Sequence, residues 1–134
     1  MADLRDLKPG DALPELHVTP DAGLTKRYAA ASGDPNPIHT DEEFARSVGL
    51  PGMILHGLWS MAQVARAHTE AAGNDPRALK RLSVQFRGMG FPEQEIVVSS
   101  KVKDVHDGAV VTETVATQGE SQIIRNAQAE LKPE

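Results

Sequence analysis

Between residues 32 and 44 the chain reads SGDPNPIHTDEEF, which places an acid (Asp34), an amide (Asn36) and an imidazole (His39) close together among two prolines. An Asp and a His held together can share one water: one accepts a proton from it while the other donates or receives a second. Asn36 can orient either partner through its amide. Such a pair suits the addition of water to a double bond, or its removal, without a metal. Asp34 and Asn36 each precede a proline, which pushes both toward extended backbone, and each proline fixes its own φ. The loop is therefore semi-rigid, and its side chains lose little entropy on converging upon a target. On spacing alone, a turn in which Asp34 and Asn36 cap their own backbone is the stronger reading, with His39 left unexplained.

A second stretch, LHGLWS at residues 55–60, opens a helical pattern. A helix N-terminus offers unpaired N–H groups and the positive end of the dipole, and Gly57 lets a substrate oxygen approach that backbone. An enolate-like oxygen forming there is stabilised as in an oxyanion hole. The plainer alternative is a tight helix entry at Gly57 with His56 packed beside it. A metal site built from Asp34, His39 and His56 has no HxH, HExxH or cysteine pattern behind it, so no metal is expected. Ser60 lacks the G-x-S-x-G elbow of a hydrolase nucleophile.

The elements that must carry these residues follow from the pattern. LPELHV (13–18) suggests a short strand, with Pro14 favouring an edge. Thr19-Pro20 reads as an N-cap and first helical position, for a helix over 20–31 with Leu24 and Tyr28 on one face and Gly33 as its stop. Thr40 with Glu43 forms a capping box for a short helix over 41–47. The best helical pattern runs over 58–72, with Leu58, Met61, Ala62, Ala65, Thr69 and Ala72 on the apolar face. After AGNDP (72–76) the chain reads as about four antiparallel strands, with Asp107-Gly108 as a hairpin turn and Gly119 as another. Strands segregated from helices imply an α+β domain, a sheet packed on a helix.

The chain has 134 residues, most simply one domain over 1–134. A net charge of −5 and only five aromatic residues argue against a nucleic-acid partner. No apolar run approaches a membrane span and the polar N-terminus lacks a secretion signal, so a cytoplasmic location is expected. There are no cysteines, hence no disulfide framework or thiolate chemistry.

Residues 28–67, YAAASGDPNPIHTDEEFARSVGLPGMILHGLWSMAQVARA, resemble the MaoC-like dehydratases, or (R)-specific enoyl-thioester hydratases. The signature runs from an aromatic and small residues through G-D-x-N-P-[aliphatic]-H and an acidic short helix to an H-G pair opening a long helix. The later LSVQFRGMGFPEQEIVV (82–98) is similar to the family's strand–loop–strand, although FRGMGFPEQE departs from its usual proline–valine turn. The resemblance implies a hot-dog fold, a long central helix wrapped by a curved antiparallel sheet. It implies Asp34 and His39 as the catalytic pair, Asn36 as their support, and the Gly57 amide as the group that polarises the thioester carbonyl. The expected reaction is reversible hydration of a trans-2-enoyl thioester, on CoA or acyl-carrier protein, to the (R)-3-hydroxyacyl thioester, with no cofactor. The alternatives are a thioesterase, or a catalytic subunit active only beside a second hot-dog chain; the family's usual assembly implies a homodimer. Met53, Leu58, Trp59 and Met61 are candidate acyl-channel residues, His56 a candidate substrate contact, and Lys80, Arg81, Arg87 and Lys101 candidate contacts to the carrier's phosphates, although core and solvated-surface roles are the plainer readings. Ala62 stands where some relatives carry a serine.

Overall fold

The computed structural model describes residues 3–133. Its elements, in chain order, are β1 (Leu16–Val18), α1 (Leu24–Ser32), α2 (Glu42–Ser47), α3 (Gly57–Ala71), β2 (Leu79–Phe86), β3 (Ile96–His106), β4 (Ala109–Gln118) and β5 (Ser121–Leu131), with single 3-10 turns at Leu4–Asp6 and Pro76–Ala78. The strands form one antiparallel sheet in the order β1-β3-β4-β5-β2. Four strands after the long helix are what the alternation predicts. Asp107 and Gly108 take φ of 50° and 76°, the paired positive values that a two-residue hairpin turn requires. No helix among the described residues is long and apolar enough to cross a membrane.

Three element boundaries differ from the sequence reading, each for a local reason. The strand expected over 13–18 is continuous only from Leu16: the Leu13 N–H still donates to the Ser100 carbonyl of β3 at 3.0 Å, but Pro14 has no N–H to carry the ladder on. Helix α1 starts at Leu24 rather than Pro20. Asp21 Oδ1 accepts the Gly23 amide at 2.9 Å, and the Asp21 carboxylate also pairs with Arg27, so the residues after Pro20 close a side-chain turn. Helix α2 is capped by Asp41, which accepts the Phe44 amide at 3.0 Å, rather than by the Thr40–Glu43 box. The stop at Gly33 stands as expected: its φ is 74° and its N–H donates to the Ala29 carbonyl.

The buried face of α3 is not the one the apolar pattern picks out. Ser60, Gln63, Val64, Ala67, His68 and Ala71 pack inward, whereas Leu58 is 66% exposed and Ala62 is also exposed. Small side chains let the helix approach the sheet, where Val64 and Ala67 join Ile96, Val98, Ala116, Ile124 and Ala127 in the main core. Burying each large aliphatic group there contributes about 1.5–3 kcal/mol.

The polar residues on that face are satisfied in place. His68, fully buried, donates Nδ1–H to the Val64 carbonyl at 2.7 Å and accepts the Thr112 hydroxyl at Nε2, also at 2.7 Å. Ser100 and Thr114 continue that network with a 2.8 Å bond. Gln63 donates to the Trp59 carbonyl at 3.4 Å.

Candidate active site

The loop after α1 folds by its own turn chemistry. Asp34 Oδ1 accepts the Asn36 amide at 3.3 Å, Asn36 Oδ1 accepts the Ile38 amide at 3.2 Å, and His39 N–H donates to the Asn36 carbonyl at 3.1 Å. Asn36 thus meets the Asp34 side chain through its backbone N–H, while its side-chain oxygen, expected to orient Asp34 or His39, holds the loop backbone instead. The loop delivers an exposed carboxylate at Asp34 and a buried imidazole at His39.

Two contacts fix His39. Its Nδ1–H donates to the Ile54 carbonyl at 2.7 Å, which selects the tautomer whose Nε2 carries the free lone pair. Its ring stacks on His56 with centroids 3.8 Å apart and planes 23° from parallel. His56 is the N-cap residue of α3, buried to 3% exposure, with Tyr28 tilted against its other side at 4.6 Å. Burial, and then the neighbouring His39, hold the His56 imidazole below the usual histidine range, with the Asp34 backbone and carboxylate pulling the other way. His56 is therefore neutral at pH 7. Its Nε2 is one of two buried side-chain polar atoms without a partner among the described residues, the other being the Thr25 hydroxyl.

A carboxylate oxygen of Asp34 and one ring nitrogen each from His39 and His56 lie within 4.8 Å of one another. Three atoms that close leave a point within about 2.8 Å of all of them, which is a hydrogen-bond length. A metal fits the set poorly, because it needs both imidazole lone pairs directed at one ion about 2.0–2.1 Å away. Near-parallel stacked rings direct their lone pairs along separate lines.

Beside this cluster opens a cavity of about 280 Å³ lined by Tyr28, Ser32, Asp34, His56, Gly57, Leu58 and Phe86. The Gly57 and Leu58 amides, in the first turn of α3, have no protein acceptor among the described residues, so the cavity wall supplies free donors at a helix N-terminus. A Cβ at Gly57 would come within 3.2 Å of the Phe86 ring, so glycine keeps that wall open. A larger groove of about 920 Å³, bordered by Glu15, Lys101, Glu113 and Arg125, holds none of the loop residues.

Of the candidate substrate contacts, only His56 and Leu58 line the cavity beside Asp34. Met53 lines a separate cavity of about 360 Å³ with Glu42 and Phe91. Trp59 packs on the main core. Arg87 lies beyond Phe86, exposed, and donates to Gln85 Oε1 at 3.1 Å. Tyr28, Ser32 and Phe86 also line the cavity and were missed as site residues. The alternation of β2 marks Phe86 as a strand residue, and no local signal shows that the strand ends over the N-terminus of α3.

A helix whose N-terminal His-Gly pair meets an Asp–His loop, laid on a five-stranded antiparallel sheet, defines a hot-dog domain. A family model described as "MaoC like domain" matches residues 8–123, and the chain belongs to that family. It is 36% identical over 108 residues to the fatty acid synthase beta subunit aflB of Emericella nidulans, covering 78% of this chain and 5% of that protein. It is 29% identical over 121 residues to the enoyl-CoA hydratase ChsH3 of Mycobacterium tuberculosis, covering 82% of this chain and 41% of the relative. A solved MaoC-like dehydratase superposes with a TM-score of 0.92 at 29% identity, over 98% of this chain and 42% of that one. The chain thus spans less than half the length of each of these relatives.

Proposed function

We propose that the chain hydrates trans-2-enoyl thioesters reversibly to (R)-3-hydroxyacyl thioesters, using a water held by Asp34 and His39. The convergence of Asp34, His39 and His56 within 4.8 Å, beside the free amides of α3, carries this reading. The water oxygen bonds to the β-carbon of the enoyl group while the π electrons move toward the thioester carbonyl. One water proton passes to the Asp34–His39 pair, and a proton from the same assembly reaches the α-carbon on the same face. The carbonyl oxygen gains charge as this happens, and the Gly57 amide, which has no protein acceptor among the described residues, is assigned the role of stabilising it. Removing such a donor costs about 3 kcal/mol of transition-state stabilisation. No metal or cofactor enters the scheme.

The test is the loss of enoyl absorbance with crotonyl-CoA, a medium-chain trans-2-enoyl-CoA and the corresponding acyl-carrier-protein thioesters, with product chirality determined. Turnover to the (R)-alcohol is expected; an (S)-product, or no turnover on either carrier, sinks the reading. Gly57→Ala sharpens it. Alanine is a better helix former than glycine and Phe86 is half exposed, so stability should move by less than about 1 kcal/mol. The added methyl crowds the donor, so kcat should fall by roughly 10-fold or more. An unchanged kcat in that variant removes Gly57 from the mechanism.

A second hot-dog chain, identical or not, fits the exposed surface. Leu58 and Phe86, 66% and 50% exposed, flank the cavity, and β2 is an open sheet edge beside them. Apolar groups and an unpaired edge in one place mark a surface for another chain. Light scattering on the purified protein should give at least a dimer mass; a monomer with full turnover removes this reading alone.

A further inference from the structure

The segment that departs from the family pattern, FRGMGFPEQE, has a mechanical place in the fold. It leaves β2 at one side of the sheet and must reach β3 next to the opposite edge, so it crosses the ends of β5 and β4. Its path is tightly fitted. The Arg87 and Gly88 amides donate to the Ile123 carbonyl at 3.0 and 3.3 Å, and a Cβ at Gly88 would lie 2.8 Å from the Gln122 carbonyl oxygen.

Gln118, the last residue of β4 and only 5% exposed, clamps the middle of this strap with three hydrogen bonds. Its Nε2 donates to the Phe91 and Gln94 carbonyls at 2.7 and 3.1 Å, and its Oε1 accepts the Phe91 amide at 2.8 Å. The next residue back, Gly90, accepts the Leu55 amide on its carbonyl at 2.8 Å. Leu55 follows Ile54, whose carbonyl accepts the His39 Nδ1–H and whose amide donates to the Ile38 carbonyl. Two residues beyond Leu55 comes Gly57.

We propose that Gln118 is a positioning residue for His39 and for the Gly57 amide, acting through the strap of residues 87–94. Every link in the path is a hydrogen bond of 3.1 Å or less, from the β4 end to Phe91, from Gly90 to Leu55, and from Ile54 to the His39 ring. One buried amide thereby sets the stretch on which both the imidazole tautomer and the helix entry depend. The geometric part stands on the contacts alone, whereas its catalytic consequence rests on the hydratase reading.

The experiment uses Gln118→Leu and, as an independent perturbation of the same path, Gly90→Ala, whose Cβ would lie 3.0 Å from Leu55 Cδ1 and displace that side chain at the Gly90–Leu55 link. Three quantities are read: amide exchange at Leu55, the nitrogen NMR signals of the His39 ring, and kcat with KM. Leu55 exchange is expected to rise by about 10-fold or more while Thr112 and Ala129 in the sheet keep their protection. The His39 ring should lose its pure Nδ1–H signature. Turnover should fall by about 10- to 100-fold with KM within about threefold, since the loss is of alignment. Unchanged exchange and tautomer in both variants, or a uniform loss of protection across the sheet, overturns the proposal. Exchange and tautomer are read without substrate, so they decide it even where the hydratase reading fails.

Discussion

Asp34→Asn is expected to cut turnover by about 10³-fold while leaving the thermal midpoint within a few degrees of the parent. The substitution keeps the shape of the side chain and its Oδ1, so the bond from the Asn36 amide that closes the loop survives. The side chain is exposed, so no buried group loses its partner. What disappears is the capacity to take up a proton, and a positioned acid or base contributes typically 10²- to 10⁴-fold. His39→Ala should lose as much activity but for mixed reasons. It also leaves the Ile54 carbonyl without its donor and removes the stack on His56, so it should cost about 1–3 kcal/mol of stability. Activity and melting measured on both variants separate the two effects. Near-parental turnover in Asp34→Asn means that the water is held by something else.

The largest effect on stability should come from acid. His68 is fully buried, and burial pushes its imidazole below the usual range, only partly opposed by its bond to the Val64 carbonyl. In the unfolded chain the same group titrates near 6.5. Above that pH neither state binds the proton and its stabilising contribution is fully present. As pH falls below 6.5 the unfolded chain takes up a proton that the folded chain refuses, so stability drops. For one such group the slope cannot exceed about 1.4 kcal/mol per pH unit, and it ends once the lowered folded value is passed. His56, lowered by the same cause, adds to it. His17, raised by Glu95 and Glu15, works in the opposite sense but is half exposed and solvent-screened. Denaturant unfolding at pH 7, 6 and 5 should show the decline, and His68→Gln, less stable at pH 7, should show a flatter one. Equal slopes for parent and variant would mean that His68 protonates freely in the fold.

Much of the fold can be read from residues whose effect is local. Gly33 ends α1, Asp107-Gly108 turns the β3–β4 hairpin, and alternation places four strands after the long helix. The site is legible for the same reason: prolines at 35 and 37 fix the loop, and His39 follows within it. What escapes is decided across space. The core face of α3 carries Gln63 and His68, which look solvent-facing until the Trp59 and Val64 carbonyls and Thr112 are seen to satisfy them. With those two residues read as polar, the pattern selects the Leu58–Ala62 side, which lies at the surface. The nearness of Phe86 to Gly57 joins the end of an edge strand to the start of a helix, and no periodicity encodes that. Asp41 in place of Thr40 as the α2 cap is a choice between adjacent good caps, settled by which oxygen reaches the Phe44 amide.

The strand order has a kinetic consequence. β3, β4 and β5 are sequential neighbours joined by two-residue turns, so they can pair with little chain closure. β1 and β2 must travel much farther along the sequence: Leu16 meets Val98, and Leu79 meets Leu131. Closing such long separations is the slow part of folding. The meander should therefore form early, with the two outer strands and the helices docking on it afterwards. His39 and Gly57 depend on backbone from the 54–57 stretch and on the crossing segment that follows β2, so they become ordered only once the last pairings are made. A complete chain that is refolding would hold most of its sheet before the Asp34–His39 loop and the helix entry at Gly57 came together.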